Sequence, residues 1–105
     1  MDAPAHARII LLEHGVKIDE FFMSGELLTI GRETGNDIRL NYTAISRFHA
    51  QIILDKPDRY RIKDLDSRNG TVVNNERINQ ELRLKNNDRI QLGRYTLIFM
   101  RLVDS

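Results

Sequence analysis

The chain has 105 residues, a formal net charge of +1 and no cysteine. That length fits one domain able to bury a core without staples, the near-neutral charge leaves no electrostatic footprint for nucleic acid, and the missing thiols exclude disulfides and thiolate metal sites. No apolar run approaches the ~20 residues needed to cross a bilayer, and Met1-Asp2-Ala3-Pro4 lacks the basic and apolar regions of a signal peptide, so the expectation is a soluble, cytoplasmic domain with no membrane partner.

Residues 1–7 read as a lead-in and residues 8–103 as the domain. The run Ile9-Ile10-Leu11-Leu12 within Arg8 to Glu13 is short for a helix and rich in branched side chains, which predicts a strand. His14-Gly15 then predicts a hairpin turn into Val16 to Met23. Ser24-Gly25-Glu26 turns the chain into Leu27 to Arg32, and Glu33-Thr34-Gly35-Asn36 turns it again. Asp37 to Leu40 alternates, and Asn41 to Ile45 is a longer loop. His49 to Asp55 alternates with Ala50, Ile52 and Leu54 on one side, and Lys56-Pro57-Asp58 breaks it. Tyr60 and Ile62 alternate against Arg59, Arg61 and Lys63. Further short strands are expected at Thr71 to Val73, Arg77-Ile78, Leu82 to Leu84, Arg89 to Leu92 and Tyr95 to Leu102. With about ten short strands, turn chemistry between them and no helical periodicity, the prediction is an all-β sandwich or barrel. Its expected core includes Ile9, Leu11, Leu28, Ile30, Ile38, Leu40, Ala50, Ile52, Ile62, Ile90, Leu92, Leu97 and Phe99.

Three polar clusters punctuate these strands: Gly31-Arg32, Ser46-Arg47-Phe48-His49, and Ser67-Arg68-Asn69-Gly70-Thr71 with Asn74 just beyond. Each begins or ends a predicted strand, so each belongs in or beside a loop, where binding residues concentrate. Arg32 and Arg47 offer guanidinium donors that suit phosphate or carboxylate oxygens. Ser46 offers a hydroxyl. Asn69 offers an amide that matches a peptide backbone, although Asn69-Gly70 is also a plain turn signal, and Asn74 can do either job. His49, at a loop–strand junction, reads as a structural tie between loops. A catalytic Ser46–His49 pair completed by Asp64 or Asp66 is the rival reading, and it lacks the glycine-framed nucleophile elbow. Singly, each residue is an ordinary surface or turn residue; together they assemble charge-assisted donors for a phosphate and amides for a peptide.

The sequence resembles the forkhead-associated (FHA) domain family. The resemblance rests on Gly31-Arg32, Asn36-Asp37-Ile38, Leu40, Ser46-Arg47, His49-Ala50, Asp64-Leu65, Ser67-Arg68-Asn69-Gly70-Thr71, Val73-Asn74, Asn87-Asp88, Ile90 and Leu92-Gly93. It implies an eleven-stranded β-sandwich of two twisted, largely antiparallel sheets, and a module that binds phosphothreonine peptides on loops at one end. It further implies that Arg32, Ser46 and Arg47 contact the phosphate, and that Arg68 and Asn69 contact the peptide. Gly31, His49, Gly70, Thr71 and Asn74 shape the site. Ala44 stands where some members carry a longer residue that reads the peptide beyond the phosphothreonine.

The expected function is therefore phosphothreonine-dependent protein binding in Ser/Thr-kinase signalling, without catalysis, cofactor, metal or nucleic acid. The alternative is a sandwich that acts as an assembly module without phosphate recognition. Arg32, Ser46 and Asn69 argue against that alternative, because relatives of that kind in secretion machinery lack the arginine and serine.

Overall fold

The computed structural model describes residues 5–102, which form eleven strands in two sheets and no helix among the described residues. The strands are β1 (Ala7–Glu13), β2 (Val16–Met23), β3 (Leu27–Gly31), β4 (Ile38–Arg39), β5 (Ala50–Lys56), β6 (Arg59–Asp64), β7 (Val72–Val73), β8 (Glu76–Arg77), β9 (Leu82–Arg83), β10 (Arg89–Leu92) and β11 (Tyr95–Arg101). One sheet has the order β2-β1-β11-β10-β7-β8 and the other the order β4-β3-β5-β6-β9. Every pairing is antiparallel except that of β3 with β4. Of the expected lead-in, residues 1–4 lie outside the described residues, as does Val103, while Ala7 already opens β1.

Period-two alternation explains the packing. In β1, Ala7, Ile9 and Leu11 are buried while their neighbours are half-exposed, and β11 repeats the pattern with Tyr95, Leu97 and Phe99. β3, β5 and β6 face them with Leu28, Ile30, Ala50, Ile52, Tyr60 and Ile62. Every expected core residue is buried. Tyr60 and Phe99 meet in the middle, ring centroids 4.9 Å apart and planes tilted by 60°, a tilted geometry favoured by the ring quadrupoles.

The structure moves some expected boundaries. β5 continues through Lys56, so the expected break narrows to Pro57-Asp58, with Asp58 at φ 62°. β4 shrinks to two residues, because Asp37 is occupied elsewhere: its carboxylate accepts from the Thr29 amide and hydroxyl at 2.8 and 3.2 Å. Ile45, in the loop before β5, is fully buried and anchors that loop on the core.

The strand directions gather five connections at one end: β3–β4, β4–β5, β6–β7, β10–β11 and β1–β2. The Arg94 guanidinium ties three of them together. It pairs with Glu13 at 3.2 Å and stacks over the Tyr42 ring at 3.6 Å from the centroid. This end carries the site.

Candidate functional site

Gly31 ends β3 where the β4–β5 loop crosses closest to it. A Cβ there would collide with the Arg47 carbonyl and crowd the Asn36 amide, so only glycine permits this approach. The contact is then sewn by hydrogen bonds. Arg32 N–H donates to Ser46 O at 3.0 Å and Glu33 N–H to Arg47 O at 3.1 Å. The Asn36 side-chain amide donates to Glu33 O and Arg47 O at 2.9 and 3.0 Å. Asn36 was part of the family resemblance without a role; it is the clasp between these loops.

His49 is fully buried and uses both ring nitrogens. Nδ1 accepts the Ser46 N–H at 3.1 Å, so the ring proton sits on Nε2, which donates to Gly70 O at 2.8 Å. Its backbone is equally committed, to Ile30 O and from Leu65 N–H, both at 2.9 Å. His49 therefore joins β3, the β4–β5 loop and the β6–β7 loop. It bonds the Ser46 amide and not the Ser46 hydroxyl, so the two side chains are not paired as base and nucleophile.

Asp64, weighed in the sequence as a triad member, organises the β6–β7 loop instead. Its carboxylate accepts from the Ser67 amide at 3.0 Å, the Ser67 hydroxyl at 2.5 Å and the Thr71 hydroxyl at 2.7 Å. Burial pushes the Asp64 carboxyl up, but the hydroxyls of Ser67 and Thr71 and the Ser67 amide outweigh it and hold it below the usual carboxylate range. Ser67 Oγ in turn accepts the Gly70 N–H at 2.9 Å. Gly70 itself, at φ 85°, adopts a left-handed conformation that suits glycine, with the movable Arg77 guanidinium lying against it.

Between these loops lies an open cleft of about 410 Å³ lined by Arg32, Ser46, Arg47 and Arg68, with Thr43, Ala44, Ile45, Phe48 and Leu65 as its other walls. The Arg32 Nε donates to Ile45 O at 3.0 Å, which fixes the guanidinium and leaves its two terminal nitrogens free to donate. Ser46 Oγ accepts the Arg68 N–H at 2.9 Å, so its own O–H remains available as a donor. Asn69 Nδ2 donates to Ala44 O at 2.8 Å and keeps a second N–H and its carbonyl for another partner. None of Arg32, Arg47 and Arg68 forms an ion pair among the described residues.

Of the expected set, Arg32, Ser46, Arg47 and Arg68 line this cleft. Asn69 is tied to its wall at Ala44 O, Gly31, His49 and Gly70 hold its loops without lining it, and Thr71 and Asn74 have partners of their own. Thr71 is buried with its hydroxyl on Asp64. Asn74 tops the β7–β8 turn at φ 49°, donating to Asp88 at 2.8 Å and accepting the Arg89 N–H at 3.0 Å. It braces the far end of β7 and does not line the cleft. Conversely, Phe48 was given no role in the sequence, yet it is 59% exposed on the cleft wall.

The model of the FHA domain matches residues 28–93. The chain belongs to the FHA domain family. Beyond the family, it is 33% identical over 98 residues to the oxoglutarate dehydrogenase inhibitor of Corynebacterium jeikeium, a match spanning 92% of this chain and 67% of that protein. It resembles Mycobacterium tuberculosis EmbR solved in complex with a low-affinity phosphopeptide, with a TM-score of 0.84 and 30% identity, over 96% of this chain and only 26% of EmbR. It also resembles an FHA domain solved in a structural and functional study of phosphothreonine-dependent FHA domain interactions, with a TM-score of 0.82 and 30% identity, over 93% of this chain and 98% of that one. The FHA assignment covers the strands and loops that build the cleft, from β3 to the β10–β11 turn.

Proposed function

We propose that this FHA domain is a phosphothreonine-dependent peptide-binding module in Ser/Thr-kinase signalling. The observation that carries the reading is the free donor set of the cleft. Arg32 is anchored through Nε with its terminal nitrogens unspent, and Ser46 spends its lone pair on Arg68 while keeping its proton. A tetrahedral dianion with three terminal oxygens complements donors arriving from different loops.

In this reading Arg32, Ser46 and Arg47 hold the phosphate. Arg68 and Asn69 hold the peptide, the Asn69 amide bonding its backbone with the half of its capacity that Ala44 leaves. Gly31, His49, Gly70 and Thr71 keep the loops in place, while Asn74 braces the β7–β8 turn behind them. The phosphopeptide-bound EmbR and the phosphothreonine-dependent FHA interactions of the similar structures support it. The domain works without catalysis, as a reader whose partner is a phosphothreonine-containing protein. We place it in the cytoplasm, where a chain without cysteine meets the substrates of soluble kinase domains.

Calorimetry with four otherwise identical peptides tests the proposal. Phosphothreonine should bind best, phosphoserine more weakly, and threonine and glutamate not measurably. The threonine methyl adds on the order of 0.8 kcal/mol when buried, and Phe48 and Leu65 are the apolar side chains of the cleft wall exposed enough to receive it. Equal binding of threonine would leave only the assembly-module alternative; equal binding of glutamate would show that any carboxylate serves.

A further inference from the structure

We propose, resting on the phosphothreonine reading above, that the ligand carries a second acidic group close in sequence to its phosphothreonine, and that Arg68 reads it. A phosphothreonine brings a charge of about −1.5 to −2 at neutral pH. The cleft offers three guanidinium groups, those of Arg32, Arg47 and Arg68, so one positive charge remains after the phosphate is matched.

No carboxylate among the described residues takes that charge. Asp64, at the start of the β6–β7 loop, is turned onto Ser67 and Thr71. Glu33 and Asp66, exposed on the same loops, pair with none of the three arginines. Unpaired arginines also occur elsewhere on the surface, since among the described residues only Arg8, Arg61 and Arg94 find carboxylates; what sets the cleft apart is that three of them line one cavity. Three unpaired like charges around one cleft repel one another, and a polyanionic ligand relieves that repulsion.

Among the three, Arg68 is the one free to act beyond the phosphate. Arg32 is clamped at Ile45 O, and Arg47 adjoins Ser46 in the chain. Arg68 has only its backbone engaged, its N–H given to Ser46 Oγ, while its exposed side chain makes no hydrogen bond among the described residues. It stands next to Asn69, the expected peptide-backbone contact, so it faces a flanking residue of the bound segment. A guanidinium fork accepts either a carboxylate or a phosphate, so the second group is an aspartate or glutamate, or a second phosphorylated residue.

The test is calorimetry on the whole domain at fixed ionic strength. A glutamate is moved through the positions on both sides of phosphothreonine in an alanine background, and one further peptide carries a second phosphothreonine at the best position. Wild type, Arg68→Ala and Arg68→Glu are compared after thermal melts show that each is folded. At one position glutamate should raise wild-type affinity about three- to fivefold, the scale of an exposed ion pair, and the second phosphate should raise it more. Arg68→Ala should bind the glutamate- and alanine-flanked phosphopeptides equally, and Arg68→Glu should be weakened by the same glutamate that helps wild type. A gain equal at every position, or one that survives Arg68→Ala, would overturn the proposal while leaving phosphothreonine binding intact. Failure of every phosphothreonine peptide on wild type would instead overturn the function proposed above and this inference with it.

Discussion

The Nε2 of His49 lies 2.8 Å from the carbonyl oxygen of Gly70, a residue 21 positions further along the chain. With Nδ1 on the Ser46 amide, a single buried ring sets the distance between the two loops that frame the cleft. The serine of the cleft and the asparagine beside that glycine are thus placed by a residue that does not line the cleft itself.

His49→Ala should therefore act through stability first. It strands the part-buried Ser46 N–H and the buried Gly70 C=O, each worth about 1–3 kcal/mol when left unpaired, so unfolding free energy should fall by roughly 2–6 kcal/mol, toward the lower end because water can reach the Ser46 amide. Phosphopeptide affinity should weaken as the loops loosen. A variant with wild-type stability and no binding would make His49 a direct ligand and contradict the geometry.

Arg32→Ala should have the opposite profile. The lost Nε bond to Ile45 O is part-buried and is worth about 0.5–1.5 kcal/mol of stability. A lost pair of charge-assisted bonds to phosphate, at about 1.5–3 kcal/mol each, corresponds to roughly 100-fold or more in affinity. Titration of Arg32→Ala, with a parallel chemical denaturation curve, separates the two. Unchanged affinity would move the phosphate site elsewhere.

Asp64 predicts a loss of stability in acid. Its carboxyl is held below the usual range in the folded state, so the folded protein binds that proton less readily than the unfolded chain. The stabilisation is fully present above the ordinary aspartate pKa of about 3.9 and is lost as pH falls through the lower folded value. Asp64→Asn should be less stable than wild type at neutral pH, with the difference narrowing in acid. Parallel thermal melts from neutral pH down through the carboxylate range measure this; a difference that stays constant with pH would remove Asp64 as the cause.

Gly31→Ala tests the loop crossing. The added methyl meets backbone, not a flexible side-chain tip, so the β3 end and the Arg47 segment must part. Overpacking of this kind costs about 1–3 kcal/mol, and because Arg32 and Ser46 sit on the two segments, phosphopeptide binding should fall with it. Retained stability and affinity in Gly31→Ala would show that the loops yield without moving the site.

What was legible in the sequence followed its periodicities. Ile9, Leu11, Ile52, Ile62, Leu97 and Phe99 alternate with polar or half-exposed neighbours, and alternation is a local property that burial converts directly into a core. Arg32, Ser46 and His49 were legible through spacing that matches a family pattern. Asp64 and Asn36 were not, because their importance lies in hydrogen bonds to groups brought near only by the fold: the Asn36 amide reaches Arg47, eleven positions away. Arg94 illustrates the same limit. Its sequence neighbourhood is a plain Gly93-Arg94 turn, and its bracing of Tyr42 and Glu13 exists only once β1 and β11 lie side by side. Asn74 was expected from the resemblance to shape the site, whereas its side chain braces Asp88 and Arg89 at the β7–β8 turn and does not line the cleft.

The pairing of β1 with β11 runs from Ala7 opposite Arg101 to Glu13 opposite Tyr95. Its second end abuts the cleft through Arg94; its first end lies about 20 Å away, six residues of extended strand. Both places where a longer polypeptide would join the domain are at that remote end, side by side. The module therefore behaves as a plug with its contacts at the tip and its leads at the base. It can be inserted into a host chain, or tethered from either side, without the tether crossing the phosphate cleft, and a fluorescent reporter fused before Ala7 or after Arg101 should leave phosphopeptide affinity unchanged.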